Sequence, residues 1–278
     1  MNSKILISIL LSLSLGACND KPKTKSEVSE IAVQKDVPQT FQNKGHELVY
    51  TMVEKVGNYD TLSSKKDVVY TYTYTTPDGI SDISTEKYIF DGELSYGEYK
   101  KHERTLSELE GTIEQGYDGS EFWLKHEGDL VNDTVSLKRV AFNRPTNFYW
   151  FAMFQKLLDP GLTYEYLGEK KVDKKEYDVV KITFISTNKK PTDIYQLYIN
   201  RETGLVDQFL FTVVDFGVLE TPYLMQVAYE NIDGVLLPTK RKYKKSTWDA
   251  AVSDEPWIHV TWTDITFNND LHKEDFRK

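Results

Sequence analysis

The 278-residue chain holds one cysteine, Cys18. It can close no internal disulfide, so its stability has to come from a packed core. It also lacks a positive balance. Its formal net charge of −9 argues against nucleic acid, because phosphate binding needs a basic face. The five histidines, His46, His102, His126, His259 and His272, are scattered without the spacing of a metal site, and neither a phosphate loop nor a dinucleotide fingerprint occurs. His46-Glu47 opens like a zinc-protease motif, but Tyr50 stands where the second histidine belongs. Ser120 lacks the flanking glycines of a nucleophile elbow. The many carboxylates are spread over turns and strand faces, where solubility accounts for them. No catalytic residue, metal ligand or cofactor is expected, and the chain reads as a non-enzyme.

No run is long enough to span a bilayer. The apolar leader from Ile5 to Leu15, preceded by Lys4, falls short of the roughly 20 residues a spanning helix needs, and it reads as a secretory signal over residues 1–17. It runs into Leu15-Gly16-Ala17-Cys18, which resembles the lipobox of bacterial lipoproteins. That resemblance implies that Cys18 is lipidated and becomes the mature N-terminus. Three acyl chains would hold the protein firmly on a membrane, at about 0.8 kcal/mol per buried methylene. The segment to Thr40 is polar and without period, so residues 18–40 are expected to be a flexible tether that as a coil spans about 25 Å. Asn19-Asp20-Lys21 lacks an acidic run like those of surface-export signals. The expected address is therefore the outer membrane, facing the periplasm.

Residues 41–278 read as one mainly β domain. His46 to Val56 places Leu48, Val49, Met52, Val53 and Val56 on one helical face, with Gly57 as a C-cap. Asp67 to Thr75 alternates Val68, Tyr70, Tyr72 and Tyr74 against Val69, Thr71 and Thr73, a strand with a tyrosine-rich face. Turns at Pro77-Asp78-Gly79, Asp91-Gly92 and Tyr117-Asp118-Gly119 separate further short strands, and more follow from Tyr164 to Phe267. Short connections make the sheet antiparallel. The exception is the stretch Phe148 to Leu158, stopped by Asp159-Pro160-Gly161, with Pro145 near its start. It predicts a helix that is apolar around almost its whole circumference, and such a helix is covered on both sides or faces a ligand. The predicted fold class is α+β: a curved antiparallel half-open barrel with two main helices packed against its concave side.

Tyr149-Trp150-Phe151 through Pro160-Gly161, Tyr166-Leu167-Gly168, Tyr177 to Val180, Tyr198-Ile199-Asn200, Glu202 to Val206 and Leu237-Pro238-Thr239-Lys240-Arg241 together resemble a group of uncharacterised Bacteroidetes lipoproteins with a domain of unknown function. The succession of strand, Glu202-Thr203-Gly204 turn and strand is also similar to the LolA and LolB superfamily. That likeness implies a half-open barrel holding acyl chains under helices, and it transfers no individual binding residue.

The expected function is therefore a membrane-anchored envelope lipoprotein that binds a lipid, an acyl chain or another amphiphile. Trp150, Phe151, Phe154 and Trp123 are the expected ligand contacts, and ligand cavities are mainly apolar with few polar groups. The rival reading is a structural or interaction lipoprotein whose sheet is filled by its own aromatics; an enzyme acting on envelope glycans comes third. Lys240 to Lys245 forms the single basic cluster, and strand alternation sends Lys240, Lys242 and Lys244 to one face and Arg241, Tyr243 and Lys245 to the other. It reads as a solvated strand end, with headgroup contact as the minority reading.

Overall fold

Alternating tyrosine-, valine- and threonine-rich runs build a thirteen-stranded antiparallel sheet in a computed structural model, which describes residues 40–186 and 190–278. The leader, Cys18 and the tether lie outside the described residues, apart from Thr40. The strands are β1 (Asp67–Thr75), β2 (Ser81–Ile89), β3 (Leu94–His102), β4 (Ile113–Tyr117), β5 (Phe122–His126) and β6 (Asp129–Leu130), then β7 (Leu162–Val172), β8 (Lys175–Phe184), β9 (Ile194–Asn200), β10 (Val206–Val213), β11 (Val218–Ile232), β12 (Val235–Lys245) and β13 (Ile258–Phe267). Their spatial order, β6-β5-β4-β3-β2-β1-β13-β12-β11-β10-β9-β8-β7, is two meanders joined where β1 pairs with β13, with Tyr72 opposite Trp262 and Tyr74 opposite Val260.

This order explains where the central helix lies. The chain leaves the first meander at one free edge, β6, and enters the second at the opposite edge, β7. A flat sheet of this width would separate those edges by more than about 50 Å. The link between them is mainly helix α3 (Thr134–Ala152, 19 residues), which is about 28 Å long. The sheet curves around that link and stays open, with the helices on its concave side, as the sequence predicts.

Helix α3 differs from its predicted extent. It begins at Thr134, where the Asp133 carboxylate accepts the Ser136 N–H at 2.7 Å, and it places Pro145 inside the helix. Its first half hides its period from a hydrophobicity reading because polar side chains, Ser136, Asn143 and Arg144, occupy buried positions. The apolar segment after Ala152 leaves the helix and packs as turns through Leu158.

Helix α1 (Lys44–Val56) buries Val49, Met52, Val53 and Val56 and is capped by Asn43, whose Oδ1 accepts the His46 N–H at 3.0 Å. The Asn43 Nδ2 donates to the Tyr164 carbonyl at 2.8 Å, tying the helix start to β7. A short helix, α2 (Tyr59–Ser63), follows. One core joins α1 to β8, β9 and β10 and to Met153, Phe154 and Leu157. A second joins Phe148 and Phe151 of α3 to Tyr70, Tyr88, Phe90 and Trp262.

Candidate functional site

Between α3 and the concave face lies a cavity of about 360 Å³, at the small end of the roughly 300–1,000 Å³ that ligand pockets occupy. Strand alternation supplies its wall. The inward residues of β1 are Tyr70, Tyr72 and Tyr74; β10 and β11 add Phe211, Tyr223 and Met225; β12 and β13 add Arg241, Tyr243, Val260 and Trp262. Helix α3 covers it with Phe142, Asn143, Asn147 and Trp150. Phe216, in a short 3-10 turn at Val214–Phe216, stands 56% exposed beside the cavity, edge-on to Phe142 at 4.9 Å. Trp150 is half-buried and packs against Phe211 (5.2 Å) and Phe209 (6.1 Å).

The walls set phenols and arginines among apolar side chains. The Tyr74 and Tyr243 hydroxyls share a hydrogen bond of 2.6 Å, and burial raises the pKa of Tyr70, Tyr72 and Tyr243, so these phenols stay neutral. Asp82 accepts from the Arg104 N–H, the Arg104 guanidinium (3.2 Å) and the Thr105 hydroxyl (2.8 Å), and Arg104 also lies over the Tyr74 ring at 3.6 Å. Arg241 sits over Trp262 at 4.0 Å, and burial lowers its pKa, with the tyrosines around it partly offsetting that effect. Because an arginine begins so high, it remains charged.

A buried polar network fixes α3 to the sheet beside the cavity. Arg144 and Glu86 are fully buried and pair at 2.9 Å. Arg144 also donates to the Tyr99 hydroxyl at 2.9 Å. Glu86 accepts from Ser84 (2.7 Å) and Tyr88 (3.0 Å), and Tyr88 shares a hydrogen bond with Tyr70. Burial alone would lower the Arg144 pKa, but Glu86 and the phenolic groups raise it overall. Burial pushes the Tyr99 phenol up to about 12, against the opposing pull of Arg144. Gly97 makes room for the pair, since a Cβ there would run into the Arg144 guanidinium. No motif announces this network, which exists only because α3 brings Arg144 to Glu86 of β2 and Tyr99 of β3.

The predicted contacts separate. Trp150 lines the cavity. Phe151 is fully buried on another side of α3, stacked on Tyr70 at 5.0 Å and tilted against Trp262 at 5.2 Å. Phe154 packs on Phe209 (5.7 Å) and Tyr229 (5.9 Å) in the α1 core. Trp123 lies in another cluster with Tyr96 and Phe276, over Gly116, and its indole N–H donates to the Phe276 carbonyl at 2.7 Å. Arg104, Arg139 and Arg241 also line the cavity and were not among the predicted contacts. A signal for them did exist: the sequence has six arginines against twenty-eight lysines, and three of the six are here. The alternation that paired Arg241 with Tyr243 on one face holds, but that face is the concave one and Arg241 is buried, not solvated. Among the described residues no cluster of three metal-ligating side chains occurs, and no helix is long and apolar enough to cross a membrane.

No family model and no curated protein matches the chain. Solved structures do. A DUF1329-family protein from Desulfovibrio piger is similar with a TM-score of 0.51 and 12% identity, over 84% of this chain and 96% of that one. A LolA-superfamily protein from Nitrosomonas europaea is similar with a TM-score of 0.48 and 15% identity, over 84% and 97%. A domain from Vibrio parahaemolyticus described as an outer membrane lipoprotein-sorting protein follows with 0.47 and 10%, over 84% and 96%. At these identities the likeness is one of fold. The fold shared with the DUF1329-family protein is an open, curved antiparallel sheet with helices in its concavity.

Proposed function

We propose that the protein is a lipid-anchored envelope protein that holds a hydrophobic or amphiphilic ligand, a lipid or an acyl chain, between α3 and the concave sheet, and that it catalyses no reaction. The observation that carries this reading is the aromatic-walled cavity of about 360 Å³ covered by Trp150. The anchor is Cys18, and the proposed address is the outer membrane, facing the periplasm. Uptake of a neutral fluorescent probe such as N-phenylnaphthylamine, with energy transfer from Trp150, tests the cavity. Absence of uptake, together with absence of a thermal shift from any amphiphile, refutes it. Cys18→Ser tests the anchor: the variant is expected to extract without detergent, and its retention in the membrane refutes lipidation.

The sealed packing around Phe151 and Phe154 favours a second reading, a structural lipoprotein without a small-molecule ligand. The two readings divide on Trp150→Ala, which lowers probe affinity only if the cavity is used.

A further inference from the structure

The cavity wall carries three arginines and no lysine, although lysine is far commoner in this chain. The three are not equivalent. Arg104 is neutralised by Asp82, the single carboxylate on the wall. Arg139 is half-buried, near Phe216 at 5.7 Å. Arg241 is 6% exposed, and among the described residues its guanidinium makes no hydrogen bond and no ion pair. Its Nε is fully enclosed without an acceptor, and so is the indole Nε1 of Trp262 beneath it. A buried cation without a counter-ion weakens a fold, and buried charges are as a rule paired. The guanidinium Nη groups are not sealed in this way and are the donors Arg241 can offer to the cavity, so the partner they call for is an acceptor. A guanidinium lying over an indole keeps its N–H edge for planar, bidentate oxyanions.

We propose that the cavity is the site of a single-chain amphiphile with an anionic oxyanion head, carboxylate or phosphate, which Arg241 receives while the chain lies along the aromatic wall. This rests on the ligand-cavity reading above and specifies the ligand's charge, head and chain number. At about 30 Å³ per water-sized unit, the volume holds on the order of a dozen chain atoms. One medium chain fits, and the three chains of a lipidated cysteine do not. An aromatic-lined cavity would otherwise suit a quaternary ammonium head, but the unpaired guanidiniums repel it.

The test titrates the purified full chain with four probes of equal chain length: dodecanoate, dodecyl phosphate, dodecanol and dodecyltrimethylammonium. Binding is followed by tryptophan fluorescence and thermal shift. At least one of the anions is expected to bind about ten- to a hundredfold more tightly than the alcohol, the cation is expected not to bind, and the preferred anion identifies the head. Arg241→Met is expected to abolish the anion preference, keep the affinity for dodecanol, and raise the ligand-free Tm by removing an unpaired buried charge. Arg241→Lys, which keeps the charge but loses the fork, should retain part of the preference. Equal binding of alcohol and anions by the parent overturns the head assignment and leaves the cavity reading standing. So does an Arg241→Met variant that keeps the preference while losing stability, because Arg241 would then be a packing residue. Failure of every probe overturns both.

Discussion

Truncation of neighbouring residues on α3 should have opposite consequences, and Phe151 gives the sharper test. Its ring is fully enclosed by Tyr70, Tyr88, Phe90 and Trp262, with centroids between 5.0 and 6.4 Å. Phe151→Ala leaves a void that such a rigid aromatic cluster cannot collapse, a loss of about 3–5 kcal/mol. For a domain of this length, each kcal/mol moves Tm by about 2–4 °C, so a fall of roughly 6–20 °C is expected. Trp150 is half-buried and already borders a void. Trp150→Ala enlarges the cavity instead of creating one, and the apolar area it loses is worth about 1–2 kcal/mol. Thermal unfolding followed by circular dichroism, with and without a hydrophobic probe, separates the effects. Phe151→Ala should keep a ligand-induced shift at its lowered baseline, while Trp150→Ala should keep most of the baseline and lose most of the shift, because bound ligand stabilises by mass action. Equal losses of stability in both variants, with no ligand shift in the parent, would refute the two-faced description of α3.

Glu86→Gln strands the buried Arg144 charge and should cost about 3–5 kcal/mol in urea denaturation, whereas the double variant Glu86→Leu/Arg144→Met should recover much of it; an unaffected single variant would show that the pair carries no stability. Trp123→Phe removes the donor to the Phe276 carbonyl and should cost about 1–3 kcal/mol, with faster C-terminal proteolysis and unchanged probe uptake; a loss of uptake would place Trp123 in the ligand site after all. Burial tends to raise the Asp207 pKa, but hydrogen bonds from Lys175, Asn200 and Tyr177 outweigh it and hold the carboxyl below its ordinary value. Its stabilisation is therefore present above about pH 4 and lost as pH falls through the lowered folded value. Asp207→Asn should flatten the acid limb of Tm against pH in that window, and an unchanged limb would refute the assignment.

Local periodicity carries much of this fold in the sequence, because an alternating run such as Val68 to Thr75 and an amphipathic run such as Val49 to Val56 contain their own secondary-structure signal. The tyrosine face of β1 and the opposite facing of Arg241 and Lys240 follow from the same alternation. The start of α3 was not legible, since buried Ser136, Asn143 and Arg144 break the apolar period and the partners of Asn143 and Arg144 lie on distant strands. Nor could periodicity say which side of an all-apolar helix meets empty space. Trp150 borders the cavity and Phe151 does not because α3 crosses the sheet at a particular rotation, set by the Arg144–Glu86 pair and by two meanders meeting at β1 and β13. The burial of Arg241 without a counter-ion likewise exists only once β12, β13 and α3 have closed around it. Residue order determines the strands, the first helix and the inward faces; the cavity and the charge on its wall are properties of long-range packing, which no local pattern encodes.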